Sequence, residues 1–503
     1  MLTSVSKFLS VNKLLTFIMF SGVGLRLIRY FWNSGLYHDE VLLALNIARR
    51  STMGLLEPLD YGQVAPPLFL LAANAVTALL GHGEWALRLF PVFCSCVAMI
   101  WFVQFSKRYL HPLVAIVGSS ILAFSPILVL YAVNFKPYAS DVLISVVLLH
   151  IYSKTAYSRV TLILCGFALL LAPWMSFPSV FVVAGLGVGF FCYHMSLKQW
   201  REAGLVAALS FVAFISFCAL HFTIIRNTAS SELLASFWEP YYMVSPYFSV
   251  HNLNVFFNGV RQSAGLLPHG NNFLIVFSIL FVVSMIVGLW RHSRQALPCV
   301  TVLMVTALAS GLSLYPFAER LLIFMSPMVG ILFGHLFAEI DAKGRSCNWV
   351  ALSLFLIFIG IHWSWNLASV FSPPSQQQAR EALRYVFDHR KPVEPVFTVS
   401  PGGVFCEYPM LAFSEYYRMQ GLEVPCQVIE NLEHSTVIEK VKGEAAFWVV
   451  SEERIQEQID HLEGFLSSIS RASATGEMDT YVLDYFPFKG AMVLHLRVNG
   501  VDD

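Results

Sequence analysis

Charge is scarce in this sequence. Asp, Glu, Lys and Arg make up 13% of its 503 residues while apolar side chains make up 56%; soluble domains carry roughly 25% charged residues. That excludes an ordinary soluble protein and points to a chain that crosses a membrane many times. An excess of one sign is missing too: 32 basic and 32 acidic residues cancel, so nothing argues for nucleic acid as a partner. Paired cysteines are also missing. Nine are scattered without a Cys-x-x-Cys spacing, mostly inside apolar runs, where they read as small buried hydrophobes rather than zinc ligands or a disulfide framework. Cys406 and Cys426 sit in a polar tail and would pair only if that tail is extracytoplasmic. No small-residue cleavage site follows the first apolar run, residues 14–32, which reads as a retained signal anchor. No internal repeat is evident.

What the chain has is a succession of apolar segments punctuated by basic turns. With Lys7 and Lys13 inside, the first span exits near Trp32 and places residues 33–65 outside. The apolar piece 66–80 is short and opens with Pro66-Pro67. Read as an interfacial helix, it leaves every later basic cluster on the cytoplasmic side: Lys107-Arg108, Lys154 with Arg159, Lys198 with Arg201, Arg291 with Arg294, and Lys343 with Arg345. The spans then fall at 86–106, 113–131, 138–152, 160–173, 179–194, 204–222, 273–290, 297–314, 320–337 and 349–368. The expected fold is a polytopic α-helical membrane protein of about eleven spans, multi-pass in an inner or plasma membrane, with its N-terminus cytoplasmic. A long polar stretch, 226–272, lies outside.

Composition changes abruptly near Pro373-Pro374. Residues 379–389 have helical periodicity with Ala382, Leu383, Val386 and Phe387 on one face. Strands are expected at 393–400, 446–451, 481–486 and 491–498, and helices at 409–420 and 451–469. The chain thus divides into a membrane region, 1–371, and an extracytoplasmic α/β domain, 372–503.

The outer loops collect the polar chemistry. Asp39 and Glu40 stand side by side just beyond the first span, opening an amphipathic stretch at 41–50. Either acid serves as a helix cap, where the dipole favours negative charge, or Asp39 does chemistry. Asp60, Gln63, Glu84, Arg88, Asn134, Lys136, Asp141, His269, Glu319 and Arg320 share that side. Acids and bases mixed at one membrane face suit an enzyme that activates a hydroxyl and neutralises a departing phosphate.

The order Asp39-Glu40, Pro66-Pro67-Leu68, Glu84-Trp85-Ala86-Leu87-Arg88-Leu89, then Ser125-Pro126 through Lys136-Pro137-Tyr138 resembles the GT-C glycosyltransferases. The likeness is to the branch with the protein O-mannosyltransferases and the lipid A aminoarabinose transferases. It covers about the first 150 residues, and Tyr315 to Pro327, with Glu319-Arg320, is similar to a later family segment that keeps an arginine. The resemblance implies transfer of a sugar from a polyprenyl-phosphate donor to a glycolipid, glycan or protein acceptor on the extracytoplasmic face, with inversion. It implies Asp39 as general base or metal ligand, Glu40 as its support, and Lys136, Tyr138 and Arg320 around the donor phosphate. Lys136 stands where the family commonly has arginine, so it would act as a point charge without a bidentate fork; its other reading is a snorkelling interfacial lysine.

Arg88, Glu84 and His269 are candidate substrate contacts. An i,i+4 pair between Glu84 and Arg88 is the structural alternative, and His269 reads equally as an exposed loop residue. A divalent metal, Mg or Mn, is left open. The family glutamate before the proline pair is replaced here by Val64-Ala65, leaving Asp60 as a substitute ligand beside Asp39 or a plain turn former. The aromatic cluster Phe237-Trp238 with Tyr241-Tyr242 would stack on sugar or anchor at the interface. Two other function classes stand beside the transferase: a lipid or polyprenyl-phosphate flippase or transporter, and an inactive scaffold of the same fold. Transporters place charge near the bilayer midplane, whereas the charges here gather at segment ends.

Overall fold

The computed structural model describes residues 2–226, 238–243, 249–265, 271–343, 378–398, 409–428, 441, 446–452, 465–467, 469–470, 481–488 and 491–498. In chain order the helices are α1 (Leu2–Trp32), α2 (His38–Arg49), α3 (Pro67–Leu80), α4 (Glu84–Tyr109), α5 (Pro112–Phe124), α6 (Pro126–Ala132), α7 (Tyr138–Tyr152) and α8 (Arg159–Met175). There follow α9 (Ser179–Ser196), α10 (Trp200–Leu220), α11 (Val250–Ser263), α12 (Asn271–Trp290), α13 (Ala296–Gly311), α14 (Ser326–Lys343), α15 (Ala379–His389) and α16 (Pro409–Arg418). Contacts divide the chain into two compact units. The first comprises Met1–Trp32, Val64–Val76 and Arg88–Phe371, and the second Asn33–Gln63, Thr77–Leu87 and Ser372–Asp503.

Five helices of the described residues are long and apolar enough to cross a membrane: Val11–Trp32, α4, α9, Trp200–Ile225 and Glu319–Ala338. The bent pair α5 and α6 makes a sixth if counted as one span. Shorter apolar helices are α3, α7, α8, α13 and Leu274–Trp290. Ten of the expected spans fall on these helices; the one at 349–368 lies outside the described residues. The chain is an integral, multi-pass membrane protein.

The expected third span is not straight. Its two halves meet at 51°, because Pro126 has no N–H to give to the Leu122 carbonyl. Arg26 on α1 supplies the missing donors: Nη2 reaches the Leu122 carbonyl at 2.6 Å and Nη1 the Ala123 carbonyl at 3.2 Å. The same guanidinium donates to Ser95 Oγ at 2.7 Å and to the Gly22 carbonyl at 2.8 Å. Arg26 is 3% exposed, and these partners are what make a cation inside the first unit tolerable.

Elsewhere the first unit packs through small residues, as membrane helices do. A methyl group on Gly185 or Gly189 of α9 would run into the backbone of Val302 or Pro298 on α13, and Thr301 Oγ1 donates to the Gly185 carbonyl at 2.6 Å. Gly118 of α5 and Gly330 of α14 meet in the same way. Gly265, with φ +75°, lies against Ser125 at the bend, where no side chain fits.

The second unit carries a five-stranded sheet of order β2-β1-β3-β5-β4. Its strands are β1 (Val396–Thr398), β2 (Cys426–Val428), β3 (Ala446–Glu452), β4 (Tyr481–Phe488) and β5 (Ala491–Val498). β1 runs parallel to β2 and β3, while β3, β5 and β4 are antiparallel. Phe397, Phe447, Val449, Leu494 and Leu496 form its core with Val441, Phe465 and Ile469. On the other face Trp448 stacks on His495, centroids 4.0 Å apart, and donates Nε1–H to Glu394 at 2.6 Å. α15 buries Ala379, Ala382, Leu383 and Val386, three of which the periodicity had placed on one face. Cys406, whose pairing with Cys426 the sequence leaves open, and most of the helix expected at 451–469 lie outside the described residues.

Candidate active site

Asp39 and Glu40 open α2 but do different work. Glu40 is fully buried, and its Oε2 accepts the Tyr37 backbone N–H at 2.8 Å. That is the returning half of a capping box, which satisfies a donor at the helix start. Asp39, one residue earlier, is only half-buried. α2 begins at His38, three residues before the amphipathic stretch suggested, because the cap forms upstream of the apolar residues.

Asp60 faces an arginine. Arg50 grips it bidentately, Nη2 to Oδ1 at 2.7 Å and Nε to Oδ2 at 3.2 Å. Its backbone N–H donates to Asn46 Oδ1 at 2.9 Å, and the buried Asn46 side chain returns a bond to the Asp60 carbonyl at 3.3 Å. Asp60 therefore closes a turn against α2. Both of its oxygens are engaged by a cation, which does not suit a metal ligand, and among the described residues no three His, Cys, Asp or Glu side chains are placed to hold a metal.

Glu84, at the start of α4, is buried and bound by residues 296 and 333 positions away. Arg380 forms an ion pair with it, and Tyr417 donates its phenol O–H to Oε1 at 2.7 Å. Burial, reinforced by the Glu84 charge, holds the Tyr417 phenol well above its usual pKa, so it stays a donor. Nearby, Tyr416 and Gln420 both donate to the His82 carbonyl, at 2.8 and 3.2 Å. Arg49 at the end of α2 pairs with Glu415 of α16. Glu84 thus reads as a structural anchor of the second unit.

In the first unit the segments that carried the family resemblance meet at one side chain. Phe69, fully buried, packs between Phe90 and Phe135 with centroids 5.8 and 5.9 Å away. The proline pair, the Arg88 segment and the loop before Lys136 are thereby held together. Lys136 and Arg88 are buried, at 8% and 3% exposure. Tyr138 packs edge-on against Tyr131, centroids 5.0 Å apart.

The start of α7 also packs against the 3-10 segment Glu319–Met325. That brings the Tyr138 region and the Arg320 segment together, as the sequence order suggested. The Arg320 guanidinium sits over the Trp238 ring at 5.6 Å, a cation–π contact, and the Phe317 N–H donates to the Tyr241 carbonyl at 2.9 Å. The aromatic loop therefore holds Arg320. Phe237 and His269 lie outside the described residues.

Two residues without a role in the sequence reading belong to this neighbourhood. Arg261 on α11 is 2% exposed, lies within the field of Glu319 and donates to Asn258 Oδ1 at 3.1 Å; the adjacent Gln262 binds Glu319 at 2.6 Å. Asp141 is 7% exposed one turn after Tyr138. The signal for Arg261 was a cation in a long outer segment; for Asp141 it was a carboxylate in the first turn of a span.

The family of dolichyl-phosphate-mannose-protein mannosyltransferases matches residues 64–222, the stretch that includes the Phe69 cluster. No curated protein is matched. Among solved structures, the Archaeoglobus fulgidus oligosaccharyltransferase in complex with zinc and sulfate is 13% identical at TM-score 0.52, over 87% of this chain and 68% of that one. The same archaeal protein, AglB, with an inhibitory peptide and a dolichol-phosphate is 13% identical at TM-score 0.52, over 99% and 74%. ArnT from Cupriavidus metallidurans bound to undecaprenyl phosphate matches at 11% identity and TM-score 0.47, over 94% and 97%. The fold of this chain is that of the GT-C glycosyltransferases, and its family match, over residues 64–222, is to glycosyltransferases of the same class.

Proposed function

We propose that this protein transfers a sugar from a polyprenyl-phosphate carrier to a hydroxyl of a glycolipid, glycan or protein acceptor on the extracytoplasmic face, with inversion. The observation that carries the reading is the divided labour at the head of α2: Glu40 is spent on the cap, while Asp39 stays half-exposed. A membrane region of residues 1–371 would carry the transfer and residues 372–503 would form the outer domain, with the N-terminus cytoplasmic. The dolichol-phosphate held by the archaeal oligosaccharyltransferase AglB supports a polyprenyl phosphate as the carrier.

In this mechanism the Asp39 carboxylate accepts the proton of the acceptor hydroxyl. The oxygen attacks the anomeric carbon from the side opposite the phosphate. A new C–O bond forms as the bond from that carbon to the phosphate oxygen breaks, and the carrier phosphate leaves with the electron pair. Lys136 and Arg320 neutralise the charge that develops on it, Lys136 as a point charge and Arg320 with its planar fork. Tyr138 flanks the phosphate, and Arg88 belongs to the same donor side. Asp60 does not fit a metal site, so no step is routed through a metal.

The test is chemical. Envelope glycolipids, glycans and proteins from cells with the gene, without it, and with Asp39→Asn are compared by mass spectrometry. Loss of the same sugar in the deletion and the variant is expected, with a transfer rate down about 10²–10⁴-fold for removal of a general base. A variant that restores the sugar at the normal rate removes Asp39 from the mechanism; a deletion that loses no sugar removes the transferase reading itself.

A further inference from the structure

A polar cavity lies at the far end of the first unit from Tyr138. α7 has 15 residues, so at 1.5 Å per residue its two ends are about 21 Å apart. Around its C-terminal end, three turns converge: the one leading into α8, the one between α9 and α10, and the one before α13. They enclose about 720 Å³ lined by Lys154, Tyr157, His194, Arg201, Glu202 and Arg294, among others. Three permanent cations face one carboxylate there.

Arg294 is the most constrained of the cations. Its Nη2 donates to the Lys154 carbonyl at 3.1 Å, its guanidinium lies 5.9 Å from the Phe190 ring centroid, and its Nε is buried with no hydrogen-bond partner. A buried charged donor left open costs stability unless something completes it. Lys154 is half-buried and Arg201 exposed, and neither forms a salt bridge among the described residues. His194 is engaged by Gln199 at 2.7 Å. Burial pushes the Tyr157 phenol up, and its O–H is committed to the Ile151 carbonyl at 2.5 Å.

The surroundings are those of a lipid headgroup rather than of open water. Leu162, Leu205 and Val206 form the apolar part of the lining. Beside it, Val160, Ile163 and Leu164 of α8 are 67%, 70% and 63% exposed, as lipid-facing side chains are, and Trp200 at the rim is 64% exposed. An exposed tryptophan next to arginine at a helix end marks the level of the membrane interface. The cavity therefore offers cations at headgroup depth and an apolar wall running from there along the hydrocarbon.

We propose that this cleft binds the phosphate of an anionic membrane phospholipid, with its acyl chains against α8. The phosphate is held between Arg294, Lys154 and Arg201. The site is independent of the sugar-transfer chemistry and lies at the basic, cytoplasmic end of the helices.

Native mass spectrometry of the full chain in detergent tests this with three probes: phosphatidylglycerol, phosphatidylcholine and inorganic phosphate. Phosphatidylglycerol is expected to be retained over phosphatidylcholine. The double variant Lys154→Gln with Arg201→Gln, neither of which holds the fold together, should lower that retention about 30-fold at unchanged melting temperature. Should the double variant melt early, Arg201→Gln alone should lower retention about 5-fold. Equal retention of the two lipids, unchanged retention in the variants, or equal stabilisation by inorganic phosphate alone would each overturn the proposal.

Discussion

The two compact units are held together by opposite means. In the first, α9 meets α13 and α5 meets α14 through glycines that bring backbone against backbone. In the second, α2, α16 and the start of α4 are joined by ion pairs and phenol hydrogen bonds: Glu84 with Arg380 and Tyr417, Arg49 with Glu415, Asp60 with Arg50. The difference follows from solvent. Lipid supplies no hydrophobic drive between helices, so close approach is what remains; where water competes, charge pairs fix geometry, at the expense of desolvation only at the buried Glu84. The candidate base sits in the polar unit, where its helix is pinned at both ends.

The sharpest way to break the polar unit is Glu84→Ala, which takes from Arg380 one of its two carboxylate partners, the other being Glu381, and leaves the buried Tyr417 phenol without its acceptor. It should cost about 3 kcal/mol, read as a fall in the melting temperature of the purified chain. Gly185→Val attacks the other unit by forcing α9 off the Val302 backbone. We expect about 2 kcal/mol of overpacking strain, seen as a lower melting temperature and a smaller yield of monodisperse protein.

Glu40→Gln weakens the cap and should cost about 1 kcal/mol while sugar transfer stays within about 10-fold of wild type. A loss as deep as that of Asp39→Asn, on the order of 10²-fold or more, would show that Glu40 does chemistry. Arg49→Ala should have the smallest effect, below about 1 kcal/mol, because both partners of its ion pair are about a third exposed. A larger drop in thermal stability would mean that the α2–α16 contact is more cooperative than its parts.

How much of this the sequence disclosed depends on the range of each interaction. The bounds of α15 were legible, because Ala382, Leu383 and Val386 repeat at helical spacing, although Phe387, expected on the same face, is 42% exposed. The helix positions were legible from apolar runs, and the lining of the polar cavity shows three of the basic turns gathered at one end. β2 was not legible: three residues paired in parallel with β1 carry no periodicity. The bend at Ser125-Pro126 announced itself through proline, but its partner Arg26 lies about a hundred positions earlier.

The distant partners of Glu84 were not legible. Arg88 at i+4 offered a local partner, whereas Arg380 and Tyr417 come from the far end of the chain. Asp39 and Glu40 were visible as a pair; which of them is the cap depended on where the Glu40 side chain turns.

Arg26 also has a consequence for biosynthesis. An arginine in the C-terminal half of a span enters the bilayer at a penalty that reaches about 2.5–3.5 kcal/mol at a helix centre, and α1 is made before α5 and α6. The carbonyls left open by Pro126 carry a matching penalty of their own. Neither helix settles alone; each holds a vacancy that the other fills. The order of synthesis thus makes α1 a waiting template, and the bent helix locks into place when it arrives beside it.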